Sequence, residues 1–256
     1  MIRDLLTVVL GVLTGALSGA FGIGGAVLST PGVRVLGASA LVAVGSTLPS
    51  ILPGAVAGTI RYARGGLVDW RVVAATAPAG VAGAVAGAVA SDAVPGDGRW
   101  LMVITAALLG VTAVRLGRGG QPEPPSGRRP RPPPTISAGI GLAAGFLSGL
   151  LGLGGGLVLV PAFLELLRLP TKVTIATSLA CVGVLAIPGT VTHAALGHVD
   201  WRIAGLLAVG VVPGARLGSR LAIRAEGRRL RLAVAAVLGV LAAVYGVTEL
   251  RAVLSG

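Results

Sequence analysis

The sequence predicts an all-α polytopic membrane protein with about eight apolar segments, arranged as two tandem four-segment repeats. Three observations predict it. Of the 256 residues, 54% are hydrophobic and only 12% charged, about half the charge of an ordinary soluble domain. Charge-free apolar runs recur along the whole chain, most of them long enough for a bilayer helix of roughly 17–25 residues. Finally, landmarks of the first 116 residues return in the same order about 130 residues later.

The N-terminal repeat, residues 1–116, holds apolar segments at about 5–33, 35–60, 72–91 and 100–114. The C-terminal repeat, residues 136–256, holds them at about 136–164, 173–196, 203–219 and 232–248. Trp100–Val114 and the charge-free run Ile203–Ala215 are short for a crossing and need support at their ends. Between the repeats lies residues 117–135, GRGGQPEPPSGRRPRPPPT, whose prolines and arginines suit an extended solvated linker. The start, MIRDLLTVVLGVLTGALSGA, superficially resembles a cleaved leader. Because the same small-residue motif recurs mid-chain, it is expected to belong to the mature fold.

The duplication is legible in the residues. GALSGAFGIGGAVLSTP at 15–31 and GFLSGLLGLGGGLVLVP at 145–161 share eight of seventeen positions. GLVDWR at 66–71 and GHVDWR at 197–202 share five of six. Ser46-Thr47 aligns with Thr177-Ser178, and Gly83-Ala84 and Gly87 align with Gly214-Ala215 and Gly218. Internal repeats of this kind recur in secondary transporters, whose binding sites lie where the halves meet.

Loop charge separates two ways of threading the segments. If all eight cross once, the basic residues divide 11 to 10, which gives no orientation. If the glycine-bearing segments 1 and 5 enter and leave on one side, they divide 16 to 5, as the positive-inside rule requires. Each half would then make an odd number of crossings, and the halves would be inverted. A single long tilted helix over 5–33 is the competing explanation.

Each glycine in a helix costs about 1 kcal/mol relative to alanine, so GIGGA (22–26) and GLGGG (152–156) invite a break. Membrane backbone can be irregular only where it is buried in protein or lines a cavity. The helix that resumes there presents free N–H groups and a positive dipole end, which hold anions without a charged side chain. Gly22, Gly24, Gly25, Gly152, Gly154, Gly155 and Gly156 are therefore candidate anion-binding positions. The alternative role for such glycines is close helix packing, which suits Ser18-Gly19-x-x-Gly22 and Gly83-x-x-x-Gly87. Ser46, Thr47, Thr177 and Ser178 supply hydroxyls in apolar surroundings, either for a substrate oxygen or for their own helix carbonyls. Pro31 and Pro161 fit an irregular exit, and Pro49, Pro53 and Pro188 suggest further helix breaks.

Arg216 is the one strong charge placed well inside a segment, hence a candidate site residue, although Arg220 and Arg224 also suit a helix end that snorkels to the interface. Asp69-Trp70-Arg71 and Asp200-Trp201-Arg202 are expected to anchor the interface. His193, His198 and Asp200 are too sparse, and unmatched in the first half, to predict a metal site; no cofactor is expected. The net charge of +12 sits in loops between apolar segments, and the eight aromatic residues are too few for base stacking, so nucleic acid is excluded as a partner. Cys181 lies alone in an apolar segment. The chain has no nucleophile elbow, no HExxH and no deeply placed carboxylate pair, and an enzyme is not expected.

With these residues in view, the chain resembles the sulfite exporter TauE/SafE family of bacterial and plant membrane proteins. The resemblance rests on the two Gly-x-Gly-Gly stretches, each preceded by Ser-Gly and followed by proline, on Thr177-Ser178-Leu179, and on Gly-x-Val-Asp at 197–200. It implies transport of sulfur-containing anions such as sulfite or organosulfonates, with a site formed by the glycines of both stretches, Thr177 and Ser178. The first half departs from the pattern: Ala26 stands where the second half has Gly156, and Gly-Ser-Thr where it has Ala-Thr-Ser. The second half is therefore expected to dominate the site. None of the nine acids lies deep in a segment, so export driven by membrane potential, with little or no proton coupling, is expected. The expected partners are a small anion and the lipid bilayer of the plasma membrane, with homo-oligomerisation left open. A membrane accessory or scaffold protein, its glycines serving packing alone, is the alternative.

Overall fold

The structure is a computed structural model; it describes residues 2–92, 107, 110–115, 117, 118, 133–152 and 154–254. Its labelled helices are α1 (Ile2–Phe21), α2 (Ala26–Val35), α3 (Ala40–Arg64), α4 (Trp70–Asp92), α5 (Pro134–Leu151), α6 (Gly156–Glu165), α7 (Thr171–Ala195), α8 (Trp201–Arg224) and α9 (Gly227–Leu254). Residues 110–115 are also helical, and no strand occurs among the described residues. Six helices are long and apolar enough to cross a membrane: α1, α3, α4, α5, α7 and α8. Of the eight expected segments, the fourth and the linker fall largely outside the described residues. The first and fifth are each two helices rather than one.

The repeated Gly-x-Val-Asp-Trp-Arg stretch is a helix stop followed by a helix start. Gly66 and Gly197 take left-handed backbone (φ 65° and 75°), which glycine adopts without strain, and close α3 and α7. Asp69 then accepts the N–H groups of Arg71 and Val72, as Asp200 accepts those of Arg202 and Ile203. Each carboxylate thus caps the next helix, a contribution of about 1 kcal/mol. Trp70 and Trp201 point outward from these starts.

The prolines do not break the helices as expected. Pro49 and Pro53 lie within α3, Pro188 within α7, and Pro31 and Pro161 within α2 and α6. Packed among neighbouring helices, the chain carries the loss of the one hydrogen bond that each proline removes without ending the helix.

Glycine ladders join the helices in crossed pairs. A methyl added at Gly11, Gly15 or Gly19 of α1 would strike the carbonyls of Leu207, Val211 or Ala215 on α8. Gly210, Gly214 and Gly218 meet α1 in the same way. Gly141, Gly145 and Gly149 of α5 press likewise on Thr76, Gly80 and Ala84 of α4. Without lipid-excluding hydrophobic force between helices, this backbone-to-backbone approach is what holds them. Helix α1 of the first half therefore packs along α8 of the second, and α5 of the second along α4 of the first, with α3 and α7 at the centre, packed on each other and on the α8 and α4 flanks.

The short helices α2 and α6 fold back on their predecessors. Gly25 lies against Thr14, Gly32 against Leu10, and a methyl on Gly37 would lie 3.6 Å from the Arg3 guanidinium. In the second half Gly155 lies against Ala144. Each apolar stretch of 29 residues is thus a helical hairpin.

Candidate functional site

The hairpin turns are built from glycine because nothing else fits their backbone. Gly22 and Gly24 take φ of 67° and 73°, and Gly152, Gly154 and Gly155 take 66°, 76° and 72°. A side chain in this region costs roughly 1–2 kcal/mol. Gly22 and Gly152 end α1 and α5 by donating to the Ser18 and Ser148 carbonyls at 2.8 and 2.9 Å. Space is equally restrictive. A methyl on Gly22 would meet the Ile175 backbone of α7, and one on Gly152 the Val44 backbone of α3, the matching positions of the two central helices.

The two turns touch. A methyl on Gly154 would lie 3.8 Å from Gly24 Cα, 3.0 Å from Ile51 Cδ1 and 3.3 Å from Val182 Cγ1. Ile51 and Val182 occupy matching places near the middle of α3 and α7, so the turns meet deep in the bundle. A methyl at Gly156 would run into the Gly22–Ile23 backbone, which is why glycine stands there. Its counterpart Ala26 tolerates a methyl and is fully buried.

From this junction α2 and α6 start with their N-termini inward. Among the described residues, the N–H groups of Gly24, Gly25, Ala26, Gly154, Gly155 and Gly156 donate no hydrogen bond. Two helix starts, each carrying partial positive charge, converge on one buried place. The arrangement can hold a small anion without a charged side chain.

The hydroxyl pairs divide between two tasks. Ser178 Oγ donates to the Gly22 carbonyl at 2.8 Å, tying α7 to the first turn. Thr47 Oγ1 donates to the Val44 carbonyl at 3.0 Å and meets Thr30 Oγ1 of α2 at 3.1 Å. Ser46 and Thr177 instead accept the backbone N–H groups of Asp200 and Asp69, at 2.8 and 3.0 Å, and pin the loops before α8 and α4. Arg216 is exposed on the outer face of α8, away from the turns.

Several residues at the turns carried no motif in the sequence. Thr14, 1% exposed, lies against Gly25, and its Oγ1 has no partner among the described residues. Ser29 Oγ donates weakly to the Gly25 carbonyl at 3.4 Å. Tyr62 OH donates to the Gly19 carbonyl at 2.6 Å, and His193 Nε2 meets the Gly149 carbonyl at 2.9 Å. Aligning the halves residue by residue would have found the last two, since Tyr62 and His193 share one repeat position. No group of three or more His, Cys, Asp or Glu residues is placed for a metal among the described residues.

A helical bundle with six spanning-length helices and paired re-folded hairpins is a multi-pass membrane protein. Residues 7–245 match the family model described as Sulfite exporter TauE/SafE, and the chain belongs to that family. It is similar to a probable membrane transporter protein of Xylella fastidiosa (strain 9a5c), 30% identical over 228 residues covering 86% of this chain and 85% of that one. The probable membrane transporter protein YunE of Bacillus subtilis (strain 168) is 27% identical over 243 residues, 84% of this chain and 86% of that one. The probable membrane transporter protein MJ0441 of Methanocaldococcus jannaschii is 24% identical over 253 residues, 92% of each chain. No solved structure matches the chain.

Proposed function

We propose that the protein is a plasma-membrane transporter, an exporter of small sulfur-containing anions such as sulfite or organosulfonates. The anion is held by the N–H groups of Gly24–Ala26 and Gly154–Gly156, with Thr14, Thr47 and Ser178 contributing hydroxyls or fixing the turns. The observation that carries this reading is the convergence of two helix starts on one buried junction, where the N–H groups of Gly24–Ala26 and Gly154–Gly156 donate to no other described residue. A sulfur oxyanion, with several acceptor oxygens and no donor in its ionised form, suits such a cradle. The family and its transporter relatives support the class; the donors support the anion.

The architecture belonging to this reading is two inverted repeats, 1–116 and 136–256, whose hairpins re-enter from opposite faces. Contacts favour that threading over eight simple crossings. Arg3 faces Gly37, and Arg115 pairs with Glu165 at 3.5 Å, although simple crossings would put each couple on opposite faces. The arginine-rich face, holding Arg61, Arg64, Arg71, Arg115, Arg168 and Lys172, is then cytoplasmic. An anion leaving an inside-negative cell gains roughly 2.3 kcal/mol per charge per 100 mV.

Gly154→Ala is the deciding variant. Its methyl would meet the tips of Ile51 and Val182 rather than backbone, so the fold should survive a cost of about 1–2 kcal/mol. Sulfite flux into proteoliposomes is expected to be lost while the variant still elutes as a folded species. Flux that declines only in step with thermal stability would favour a scaffold role for the glycines.

A further inference from the structure

Helix α8 has a buried side and an exposed side, and the two carry different chemistry. Gly210, Gly214 and Gly218 meet α1, and Val211, Ala215 and Ala222 are buried. On the opposite side Val209, Arg216, Leu217, Arg220, Leu221 and Arg224 are exposed, three arginines at intervals of four with leucines beside them. Arg228, at the start of α9, is exposed just beyond them. No carboxylate pairs with any of these four arginines among the described residues; Glu226, at the same corner, pairs with Arg229 at 3.1 Å.

Depth makes the arginines costly. An exposed tryptophan settles at headgroup level, and Trp201 marks one such level at the start of α8. Arg216 lies fifteen residues further along, about 22 Å of helix. The hydrocarbon core is about 30 Å thick, so the Arg216 backbone is still inside it, and its guanidinium reaches the far interface by running along α8 toward Arg220. A guanidinium there needs an anion, and the described residues supply none. On a lipid-facing surface the anion within reach is a headgroup phosphate, which neighbouring guanidiniums hold through paired N–H donors. Leu217 and Leu221, 52% and 69% exposed, lie where the acyl chains of the same lipid would run.

The first half shows that a helix in this place does not need the charges to span. With Gly83 and Gly87 aligned to Gly214 and Gly218, Arg216 and Arg220 correspond to Val85 and Val89 of α4, which are also exposed. Two lipid-facing positions that are apolar in one copy are cationic in the other.

We propose that the α8–α9 corner is a binding site for an anionic phospholipid, its phosphate held by Arg216 and Arg220, with Arg224 and Arg228 adding charge at headgroup level. The site is separate from the hairpin junction and does not depend on what the protein transports. Its occupancy should be felt by the fold. Lys172 Nζ of α7 donates to the Ile223 carbonyl at 2.6 Å, and a methyl on Gly227 would lie 3.6 Å from Thr171 Oγ1, so the corner is tied to the start of α7.

Full-length protein in detergent, titrated with lipid and read by native mass spectrometry, should retain phosphatidylglycerol at least about tenfold more tightly than phosphatidylcholine. Each arginine near a headgroup contributes about a fivefold gain, so R216Q/R220Q should weaken phosphatidylglycerol binding about 25-fold. R64Q/R71Q removes the same charge from exposed positions elsewhere on the arginine-rich face. It should change binding less than about twofold, since at physiological salt charges act over about 8 Å. Equal losses in the two variants would overturn the site and leave a diffuse surface attraction. Thermal unfolding gives a second reading: phosphatidylglycerol should raise the midpoint of the wild type by about 5 °C and leave that of R216Q/R220Q unmoved. Equal protection by inorganic phosphate alone would overturn a lipid as the occupant, as would equal retention of phosphatidylcholine.

Discussion

The two hairpins share one backbone plan and differ in what lines it. Both turn on left-handed glycines, both start a ten-residue helix at the junction, and both press on the central helix of the other half. The first is the hydroxyl-rich copy. Thr14, Ser29 and Thr30 have Ala144, Leu159 and Val160 as counterparts, and Ser178 holds the Gly22 carbonyl whereas Val44 lies against Gly152. The second is the glycine-rich copy, with Gly156 yielding space to the first turn and His193 tying its stem. The two copies keep one backbone plan, with side-chain hydroxyls gathered in the first and glycine in the second.

Substitutions that exchange features between the copies test this division. The largest effect is expected from Gly156→Ala, whose methyl enters the Gly22–Ile23 backbone. Overpacking should cost about 1–3 kcal/mol in thermal unfolding, whereas Ala26→Gly should cost about 1 kcal/mol by helix propensity alone. Equal losses would mean that the turns are not in contact. Next comes Thr14→Val, which removes an unpartnered hydroxyl beside Gly25. Sulfite affinity should fall about tenfold with stability held or raised, since a buried hydroxyl bond is worth roughly 1 kcal/mol. Ala144→Thr should not restore it, and full rescue would show the copies to be interchangeable.

Ser178→Ala strands the Gly22 carbonyl and should lower stability by about 1 kcal/mol, more than Thr47→Val, which leaves both turns tied as before. Tyr62→Phe, which strands the Gly19 carbonyl, should behave like Ser178→Ala. Ser46→Ala and Thr177→Ala are expected to give the smallest effects, about 0.5 kcal/mol each, because they loosen helix-start loops and not the junction. A loss of anion affinity in either would return those hydroxyls to the site.

Much of this was legible in advance. Apolar length and charge spacing gave the helices, and Gly-x-Gly-Gly gave the places where 5–33 and 136–164 bend. Pro49, Pro53 and Pro188 misled, because local propensity ignores the packing that lets a buried helix carry one missing hydrogen bond. Ser46 and Thr177 look identical in kind to Thr47 and Ser178, and only helix rotation separates them. Arg216 sits at mid-segment in sequence yet on the outer face in space for the same reason.

Sequence by itself determined the membrane class, the paired glycine turns and the helix stops at Gly66 and Gly197. Each of these is a local property: transfer of apolar side chains, backbone freedom at glycine, a carboxylate capping the next N–H groups. That Gly24 meets Gly154, that α1 packs on α8 and α5 on α4, and that His193 reaches both Gly149 and His198 were decided only in three dimensions. Those contacts join residues far apart along the chain, and they exist because helices of the two halves bury their small-residue faces against each other.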